Sequence, residues 1–210
     1  MKIGIMGAGN VGSTLGRIWA QTGHAVVFGV RDPESDKVRS LLANMGSSAK
    51  TGTIAQAALH ADVVALTVPW EAVPEVLQPA SDLDGKILLD CTNPLIANQV
   101  TGSVNQSISG GEQVAAWVPK AHVVKIFNTV GFESMADPQY GTEVATMFYA
   151  GDDAQAKSVA AQLAKEVGFD PIDVGPLSNA KFLESLTLLW GQLVYKQGMG
   201  RNIALRLLKR

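Results

Sequence analysis

Short apolar runs alternate with amphipathic stretches along the chain. Runs typical of buried strands lie at residues 1–6, 25–28, 61–68, 86–91, 123–127, 145–150 and 171–174. Helical spacing of apolar positions lies at residues 36–45, 153–167 and 181–197, and two prolines break a further helical segment at 70–80. Strands that alternate with helices are typical of a parallel sheet with helices on both faces. We therefore predict an α/β fold with a doubly wound, mostly parallel sheet.

A glycine-rich turn follows the first apolar run at once and precedes a helical pattern that opens at Ser13. A strand, such a turn and a helix within one βαβ unit are the fingerprint of a dinucleotide-binding Rossmann fold. The first glycine allows the tight turn, the second lets backbone N–H groups approach a pyrophosphate, and the third lets the helix pack closely on the strand. A glycine-rich turn in another kind of α/β protein is the alternative. The candidate cofactor-binding residues are Gly7, Ala8, Gly9, Asn10, Val11 and Gly12.

The second strand ends in a cation where NAD-binding proteins usually carry an acid. The chain reads Val30 and Arg31 at this place, and Asp32 lies slightly beyond, already in a turn. An acid here binds the ribose 2′-hydroxyl of NAD. An arginine can instead bind the 2′-phosphate of NADP through charge-assisted hydrogen bonds worth about 1.5–3 kcal/mol. Arg31 therefore predicts NADP as the cofactor, and an exposed arginine paired with Asp32 or Glu34 is the alternative.

Polar corners follow three of the predicted strands, at residues 67–70, 92–94 and 128–129. Ligands of open α/β sheets bind beyond the carboxyl ends of the strands. Asn93, Asn128 and Thr129 are therefore candidates for contacts with the nicotinamide ribose or with a second ligand. Asn, Thr and Pro also favour turns, so capping and turn chemistry is the alternative for each residue alone.

Length and composition narrow the class of protein. The 210 residues, 47% of them apolar, suffice for one α/β domain with a modest appendage. We expect a single NADP-binding Rossmann domain over residues 1–210, with residues 175–210 as a C-terminal helical extension. The formal net charge of −2 gives no sign of nucleic acid or an anionic membrane as a partner, and no apolar run approaches the ~20 residues of a membrane span. The only cysteine, Cys91, fits a reducing compartment, so we expect a cytoplasmic protein.

Two further segments of the chain, one near its middle and one near its end, allow predictions. The helix predicted at residues 181–197 has a broad apolar stripe, which packs on its own sheet or forms a dimer contact, and we expect a homodimer. Glu184 on this helix is interpreted as a solvated carboxylate, with a polar contact to a ligand as the alternative. Residues 97–110 are rich in Ser, Gly, Asn and Gln, which is typical of a surface loop. This loop is expected beside the site, where it acts either as a lid or as an inert connection.

Groups for acid–base or metal chemistry are scarce. His24, His60 and His122 do not follow the carboxyl end of a predicted strand, and no metal-ligand spacing is present. Cys91 is interpreted as a small buried residue, and Lys125 lies inside a predicted strand. A dehydrogenase that acts on an alcohol needs a positioned acid or base. Hydride exchange between a nicotinamide and a flavin-like ring needs mainly two stacked rings, so we predict this chemistry, with no catalytic side chain and no metal.

The sequence resembles the coenzyme F420-dependent NADP oxidoreductases, whose second cofactor is a deazaflavin. The resemblance covers nearly the whole chain. Its landmarks are the glycine turn, residues 29–31, residues 66–70, residues 151–153 and a specific tail at 175–200. The middle of the chain, at residues 86–94 and 123–128, is also similar to the cytosolic reductase domain of six-transmembrane ferric reductases. Those domains pass electrons from NADPH to a flavin.

The resemblance implies a role for each matching position. It implies that residues 8–11 line the pyrophosphate, that Arg31 holds the 2′-phosphate, and that Leu66, Val68 and Pro69 flank the nicotinamide half. It also implies that residues from Asn128 to Phe132 and the Met199-Gly200 turn border the deazaflavin or flavin. One departure is Val30, because the family often has a serine before the arginine, and the change removes one phosphate partner.

Together these points predict an oxidoreductase that transfers hydride between NADP(H) and a small-molecule redox partner, either coenzyme F420 or a flavin such as FAD or FMN. Reduction of a small imine or carbonyl compound is a second enzyme hypothesis. A non-catalytic protein that senses NADP(H) and signals through its C-terminal helix is a hypothesis of another class.

Overall fold

Eight of the described strands join in one sheet. The structure is a computed structural model that describes residues 1–43, 45–78, 83–95 and 108–210, without the side chain of Lys37. The strands of this sheet are β1 Lys2–Met6, β2 Ala25–Gly29, β3 Ala49–Gly52, β4 Val63–Leu66, β5 Ile87–Asp90, β6 His122–Lys125, β9 Thr146–Gly151 and β10 Asp170–Asp173. Their order across the sheet is β3-β2-β1-β4-β5-β6-β9-β10. A separate two-stranded hairpin pairs β7 Gln139–Tyr140 with β8 Glu143–Val144.

Helices cover the sheet on both sides. They are α1 Asn10–Gln21, α2 Asp36–Leu42, α3 Ile54–His60, α4 Val73–Leu77, α5 Gly110–Trp117, α6 Phe132–Ala136, α7 Ala154–Val167 and α8 Ala180–Gly191, the last continued by a π-helical turn at Gln192–Lys196. The pairs from β3 across to β6 are parallel, and only the pair of β6 with β9 is antiparallel among the described strands of this sheet. The predicted α/β fold with a doubly wound, mostly parallel sheet is confirmed.

Apolar side chains on the two faces of the sheet form two cores. One core lies under α1 and α7 and contains the rings of Trp19, Phe127 and Phe169, which pack at steep angles to one another rather than face to face. The other lies under α3, α4 and α5 and contains Leu66 and Leu88, which are fully buried. Strands that are buried on both faces read as continuous apolar runs, which explains why the sequence pattern identifies them.

Several elements differ from the sequence pattern. The helix after the glycine turn begins at Asn10 rather than Ser13, and the pattern missed β3, whose residues 49–52 carry little apolar character. It gave no bounds for α3 and missed α5, two short helices that begin at capping boxes formed by Thr53 with Gln56 and by Ser109 with Glu112. The helix α5 takes the last residue of the loop predicted at 97–110, and residues 97–107 of that loop lie outside the described residues.

The chain after β10 returns over the sheet. The helix α8 packs against α5 and β9, and the segment that follows is tied back by hydrogen bonds. Trp190 Nε1 donates to the Ile203 carbonyl at 3.1 Å, and the Thr146 amide donates to the Leu205 carbonyl at 2.8 Å. Within the described ranges, none of the helices has the length and apolar character that crossing a membrane requires.

Candidate functional site

A cavity of about 730 Å³ opens where β1, β2 and β4 end. Its wall is formed by the glycine turn after β1, by the end of β2 and by the first residues after β4. This is the point where strand order reverses on either side of β1, which is the usual ligand crevice of an open α/β sheet. The sequence-predicted residues on this wall are Gly7, Ala8, Gly9, Arg31, Val68 and Pro69.

The glycine turn has the geometry that its spacing predicts. Gly7 has a φ of +106°, a conformation that favours glycine, and its amide donates to the Gly29 carbonyl at 2.9 Å. A Cβ on Gly12 would collide with the Gly7 carbonyl oxygen and the Thr67 hydroxyl, so α1 packs on the turn only because this residue is glycine. A Cβ on Gly9 would meet nothing within 4 Å, so the turn leaves open space on that side.

The start of α1 is free to receive an anion. Its N-cap, Gly9, provides no side-chain cap, and the first turn has no acidic residue. The N–H groups of a first helical turn lack intrahelical partners and carry a partial positive charge, so they attract phosphate groups. Asn10 is exposed beside this turn, whereas Val11 is half-buried and faces a second, smaller pocket.

Thr67 holds the end of β4 against the glycine turn, a contact that the sequence analysis did not predict. Its hydroxyl donates to the Met6 carbonyl at 2.9 Å and lies 3.3 Å from the Gly7 carbonyl. This link fixes the cavity wall formed by Val68 and Pro69. Leu66, by contrast, is fully buried in the core and does not line the cavity.

Arg31 lies at the rim of the cavity and is 74% exposed. Its Nη2 donates to the Glu75 Oε2 at 3.1 Å, across the cavity mouth from α4. The alternative predicted an exposed arginine paired with Asp32 or Glu34. Arg31 is exposed, but its carboxylate partner is Glu75, which lies on a different element 44 residues away, so the predicted partners are wrong. Arg39, on α2, faces Asp36 and Glu34 and does not line the cavity.

A second pocket of about 230 Å³ lies where β5 and β6 end, beside α6 and α8. Of the predicted residues, Val11, Asn93, Asn128 and Phe132 line it. Thr129 is buried and Met199 is 60% exposed, and neither of these two described residues is on its wall. The wall also includes residues from α8 and beyond that the sequence analysis did not propose as site residues, namely Thr187, Trp190, Tyr195 and Arg201.

Asn128 forms the polar floor of this smaller pocket. Its Nδ2 donates to the Asn93 Oδ1 at 3.0 Å and to the Thr187 Oγ1 at 3.2 Å. In return, Asn93 Nδ2 donates to the backbone carbonyl of Asn128 at 3.1 Å. These bonds fix the orientation of both amides. The Asn128 Oδ1 is then left buried without a hydrogen-bond donor, which makes it an acceptor that a bound ligand could satisfy.

Arg201 and Tyr195 form the outer wall of the same pocket. The guanidinium lies 5.2 Å from the centroid of the Trp190 ring and 5.4 Å from that of Phe132, within the range of cation–π contacts. Its Nε donates to the Glu133 Oε1 at 2.5 Å, and its Nη1 donates to the Tyr195 hydroxyl. Burial raises the pKa of Glu133, but the bonds from Arg201 outweigh it, so this pKa lies below its ordinary value of 4.5.

Lys125 and Glu184 belong to a buried ion cluster whose members line neither of the two pockets. Lys125 Nζ lies 3.0 Å from the Asp90 Oδ2 and 3.1 Å from the Glu184 Oε1. Burial lowers the pKa of Lys125, but the two carboxylates outweigh it and hold this pKa above its ordinary value of 10.5. Glu184 also accepts from the amides of Gly110 and Gly111 at 3.1 Å each, so the interpretation of a solvated carboxylate is wrong.

The remaining candidate groups lie away from both pockets. His24 Nε2 lies 2.6 Å from the Glu166 carboxylate, and His122 lies 3.7 Å from Asp153. Burial, with Asp90 beside it, raises the pKa of the Cys91 thiol and leaves it unreactive as a nucleophile. No group of three or more acidic, histidine or cysteine side chains suited to a metal ion is present in the part of the chain that the structure describes.

Comparisons with known proteins agree with this architecture. The family model of coenzyme F420-dependent NADP oxidoreductases matches residues 2–94. The F420-dependent NADP reductase of Methanothermobacter marburgensis is 31% identical over 99% of this chain and 98% of its own. The crystal structure of a candidate F420-dependent NADP reductase from Arthrobacter sp. FB24 superposes with a TM-score of 0.89 at 31% identity, and the match covers 100% of both chains.

Two other groups share parts of this architecture. The metalloreductase STEAP3 of Rattus norvegicus is 29% identical over 89% of this chain, which corresponds to only 36% of that protein's length. An imine reductase of Aspergillus terreus superposes over 94% of this chain and 63% of its own with a TM-score of 0.68, but at 21% identity this likeness concerns the fold alone. Because the match to the methanogen reductase covers both chains almost completely, this chain belongs to the family of F420-dependent NADP reductases.

Proposed function

We propose that this protein transfers hydride between NADP(H) and a planar deazaflavin or flavin. The observation that carries the proposal is the pair of pockets that flank the start of α1. Gly9 lines the larger cavity, and Val11, two residues later, lines the smaller pocket. A dinucleotide and a second planar ligand would therefore approach each other at the N-terminus of one helix, which is what direct hydride transfer requires.

The larger cavity suits NADP(H). The uncapped start of α1 and the open side of Gly9 fit a pyrophosphate. Arg31 would hold the 2′-phosphate at the rim, and Val68 and Pro69 would flank the nicotinamide half. Asn10 and Gly12 would act through the turn itself, and Leu66 would act only by supporting Val68 from the core.

The smaller pocket suits a flat ring with hydrogen-bonding edges. Trp190 and Phe132 provide aromatic wall, Asn93 orients Asn128, and the unpaired Asn128 Oδ1 would accept a hydrogen bond from an N–H or O–H group of the ligand. Contacts of Thr129 and Met199 with the second ligand stay predictions. The relatives named F420-dependent NADP reductases favour coenzyme F420 in this pocket, and the likeness to STEAP3 favours FAD or FMN.

The proposed reaction needs little acid–base chemistry from the chain. The nicotinamide ring supplies or accepts the hydride when it is bound. The side chains would bind and orient the two rings and exclude water from between them. This role is consistent with the buried ionisable cluster centred on Lys125, whose members line neither pocket.

The test is NADPH oxidation without oxygen, followed by absorbance, with coenzyme F420, FAD and FMN as parallel acceptors. We expect turnover with the deazaflavin and less with the two flavins. Turnover with FAD or FMN alone would keep the hydride chemistry but replace the acceptor. Tight NADPH binding without turnover on any acceptor would overturn the proposal and favour a protein that only senses NADP(H).

Reduction of a small imine or carbonyl compound is a second candidate, and one observation favours it. The Tyr195 hydroxyl lines the smaller pocket and accepts a hydrogen bond from Arg201, which would stabilise a tyrosinate after proton donation to a substrate. Tyr195→Phe separates the two candidates. The variant should leave deazaflavin reduction largely intact. Loss of activity on an imine or carbonyl compound would show that this second reduction requires the Tyr195 hydroxyl.

We also propose that residues 1–210 act as one unit and that this unit is a homodimer. The buried contact of Glu184 with Lys125 joins α8 to the sheet, which supports the first statement. Phe182, Leu189 and Tyr195 leave α8 and its π-helical turn with an exposed apolar face, 47–58% exposed at each side chain, which a second copy would cover. A cytoplasmic location stays a prediction. Sedimentation of the wild type and of Leu189→Glu tests the dimer.

A further inference from the structure

The rim of the larger cavity is richer in carboxylates than a site for a 2′-phosphate would suggest. Asp32 and Glu75 both line the cavity with Arg31. The Arg31 Nη2 is already occupied by the Glu75 Oε2 at 3.1 Å. Arg39, which follows the cavity-lining Val38 on α2, faces Asp36 and Glu34 at 3.4 and 3.9 Å. A phosphate bound at Arg31 therefore meets a cation that already has a carboxylate partner.

Electrostatics gives the Glu75 carboxylate opposite relations to a charged 2′-phosphate and to a neutral 2′-hydroxyl at this rim. A phosphate that accepts from the Arg31 Nη2 would lie beside the Glu75 carboxylate, which contacts the same nitrogen. Two negative charges this close repel each other even when they are exposed to solvent. A ribose 2′-hydroxyl carries no charge and can donate to a carboxylate. In NAD-binding proteins the acid that accepts this bond follows the second strand. Here Val30 and Arg31 occupy that place, and Glu75 supplies a carboxylate from the opposite wall.

We propose that Glu75 is a specificity-determining residue that weakens binding of NADP(H) and supports binding of NAD(H) at this cavity. This inference rests on the proposed binding of NADP(H) there. The pair is exposed, with 74% of the Arg31 and 70% of the Glu75 side chain accessible, so it costs little to break and has a modest effect. One repulsive contact of this kind corresponds to a change of ~5-fold in affinity.

The test compares Glu75→Gln with the wild type by titrating NADPH and NADH separately and following the fluorescence of the reduced nicotinamide. The variant should bind NADPH ~5-fold more tightly and NADH less tightly than the wild type. The gain for NADPH should shrink as salt is added, because screening weakens a repulsion between exposed charges. Glu71→Gln is the matched control, since it removes the same charge from the same segment but Glu71 does not line the cavity.

Each outcome separates this inference from the function on which it rests. If Glu75→Gln and Glu71→Gln change NADPH affinity equally, the effect is one of net charge and the role of Glu75 is overturned. Equal changes for NADPH and NADH, or none for either, overturn it as well while leaving cofactor binding intact. Failure of the wild type to bind either nucleotide would overturn the proposed function instead.

Discussion

The two ion pairs formed by Arg31 and by Lys125 use similar chemistry in opposite surroundings. Arg31 meets Glu75 at the cavity rim, where roughly three quarters of each side chain is exposed to water. Lys125 meets Asp90 with no exposure of either side chain, and Glu184 completes the cluster at 13% exposure. An exposed pair contributes little to stability and can exchange partners, whereas a buried one cannot lose a partner without stranding a charge.

This difference in exposure gives the two ion pairs different roles. The rim pair lies on the side of the sheet where ligands would enter, and its weak mutual attraction leaves both groups available for recognition. The buried cluster joins β5, β6, α5 and α8 through Asp90, Lys125, Glu184 and the amides of α5. Its position holds the wall of the smaller pocket in place, so we expect it to control stability rather than chemistry.

The largest effect should follow removal of Lys125. The change Lys125→Met leaves Asp90 and Glu184 buried without their cation, and such breakage typically costs about 3–5 kcal/mol of unfolding free energy. Urea unfolding monitored by tryptophan fluorescence measures the change. Lys120→Met is the matched control, because Lys120 pairs with Asp84 at the surface and its loss should shift the midpoint far less. Similar shifts for the two variants would contradict a structural role for the buried cluster.

Removal of Arg31 should affect binding and leave stability nearly unchanged. Arg31→Ala deletes the cation proposed for the 2′-phosphate, so NADPH should bind ten- to a hundred-fold more weakly, in line with the loss of a charge-assisted hydrogen bond. NADH affinity should change little. Fluorescence titrations with both nucleotides provide the measurement, and equal losses for the two would rule out the 2′-phosphate role.

An intermediate case is the pair of Glu133 with Arg201, in which the side chains are 23% and 38% exposed. The pKa of Glu133 is held below its ordinary value of 4.5, so the stabilisation that it provides is present above that value and disappears as the pH falls through the lowered pKa. Glu133→Gln should therefore cost about 1 kcal/mol or less at neutral pH. The difference from wild type should vanish in acid, as measured by urea midpoints, and a difference that persists there would contradict the ion pair.

Local sequence patterns were sufficient for the glycine-turn side of the larger cavity because the parts of that side lie close together in the chain. The strand, the glycine turn and the start of α1 all fall within residues 2–21, and the physical requirement for each glycine is itself local. Arg31 was predicted for the same reason, from its place at the end of β2. Its partner was not, since Glu75 lies 44 residues further on and reaches the rim only through the packing of α4.

The smaller pocket was only partly predictable. Asn93 and Asn128 follow strands, so the rule for open sheets identified them. Tyr195 and Arg201 come from the chain beyond α8, and Arg201 meets Glu133 across 68 residues, a contact that no local pattern encodes. Glu184 illustrates the converse error. A carboxylate on a helix looks solvated in the sequence, and only the tertiary arrangement reveals that Lys125 and two backbone amides surround it.

The most direct test of the central claim follows the transferred hydrogen itself. NADPH deuterated at the transferable position of its nicotinamide ring is mixed with the protein and coenzyme F420 without oxygen, and the products are examined by mass spectrometry. Direct hydride transfer between two rings held in the adjoining pockets predicts that the deuterium appears on carbon in the reduced deazaflavin. Reduction of the deazaflavin without deuterium in the product, or no reduction at all, would contradict the account.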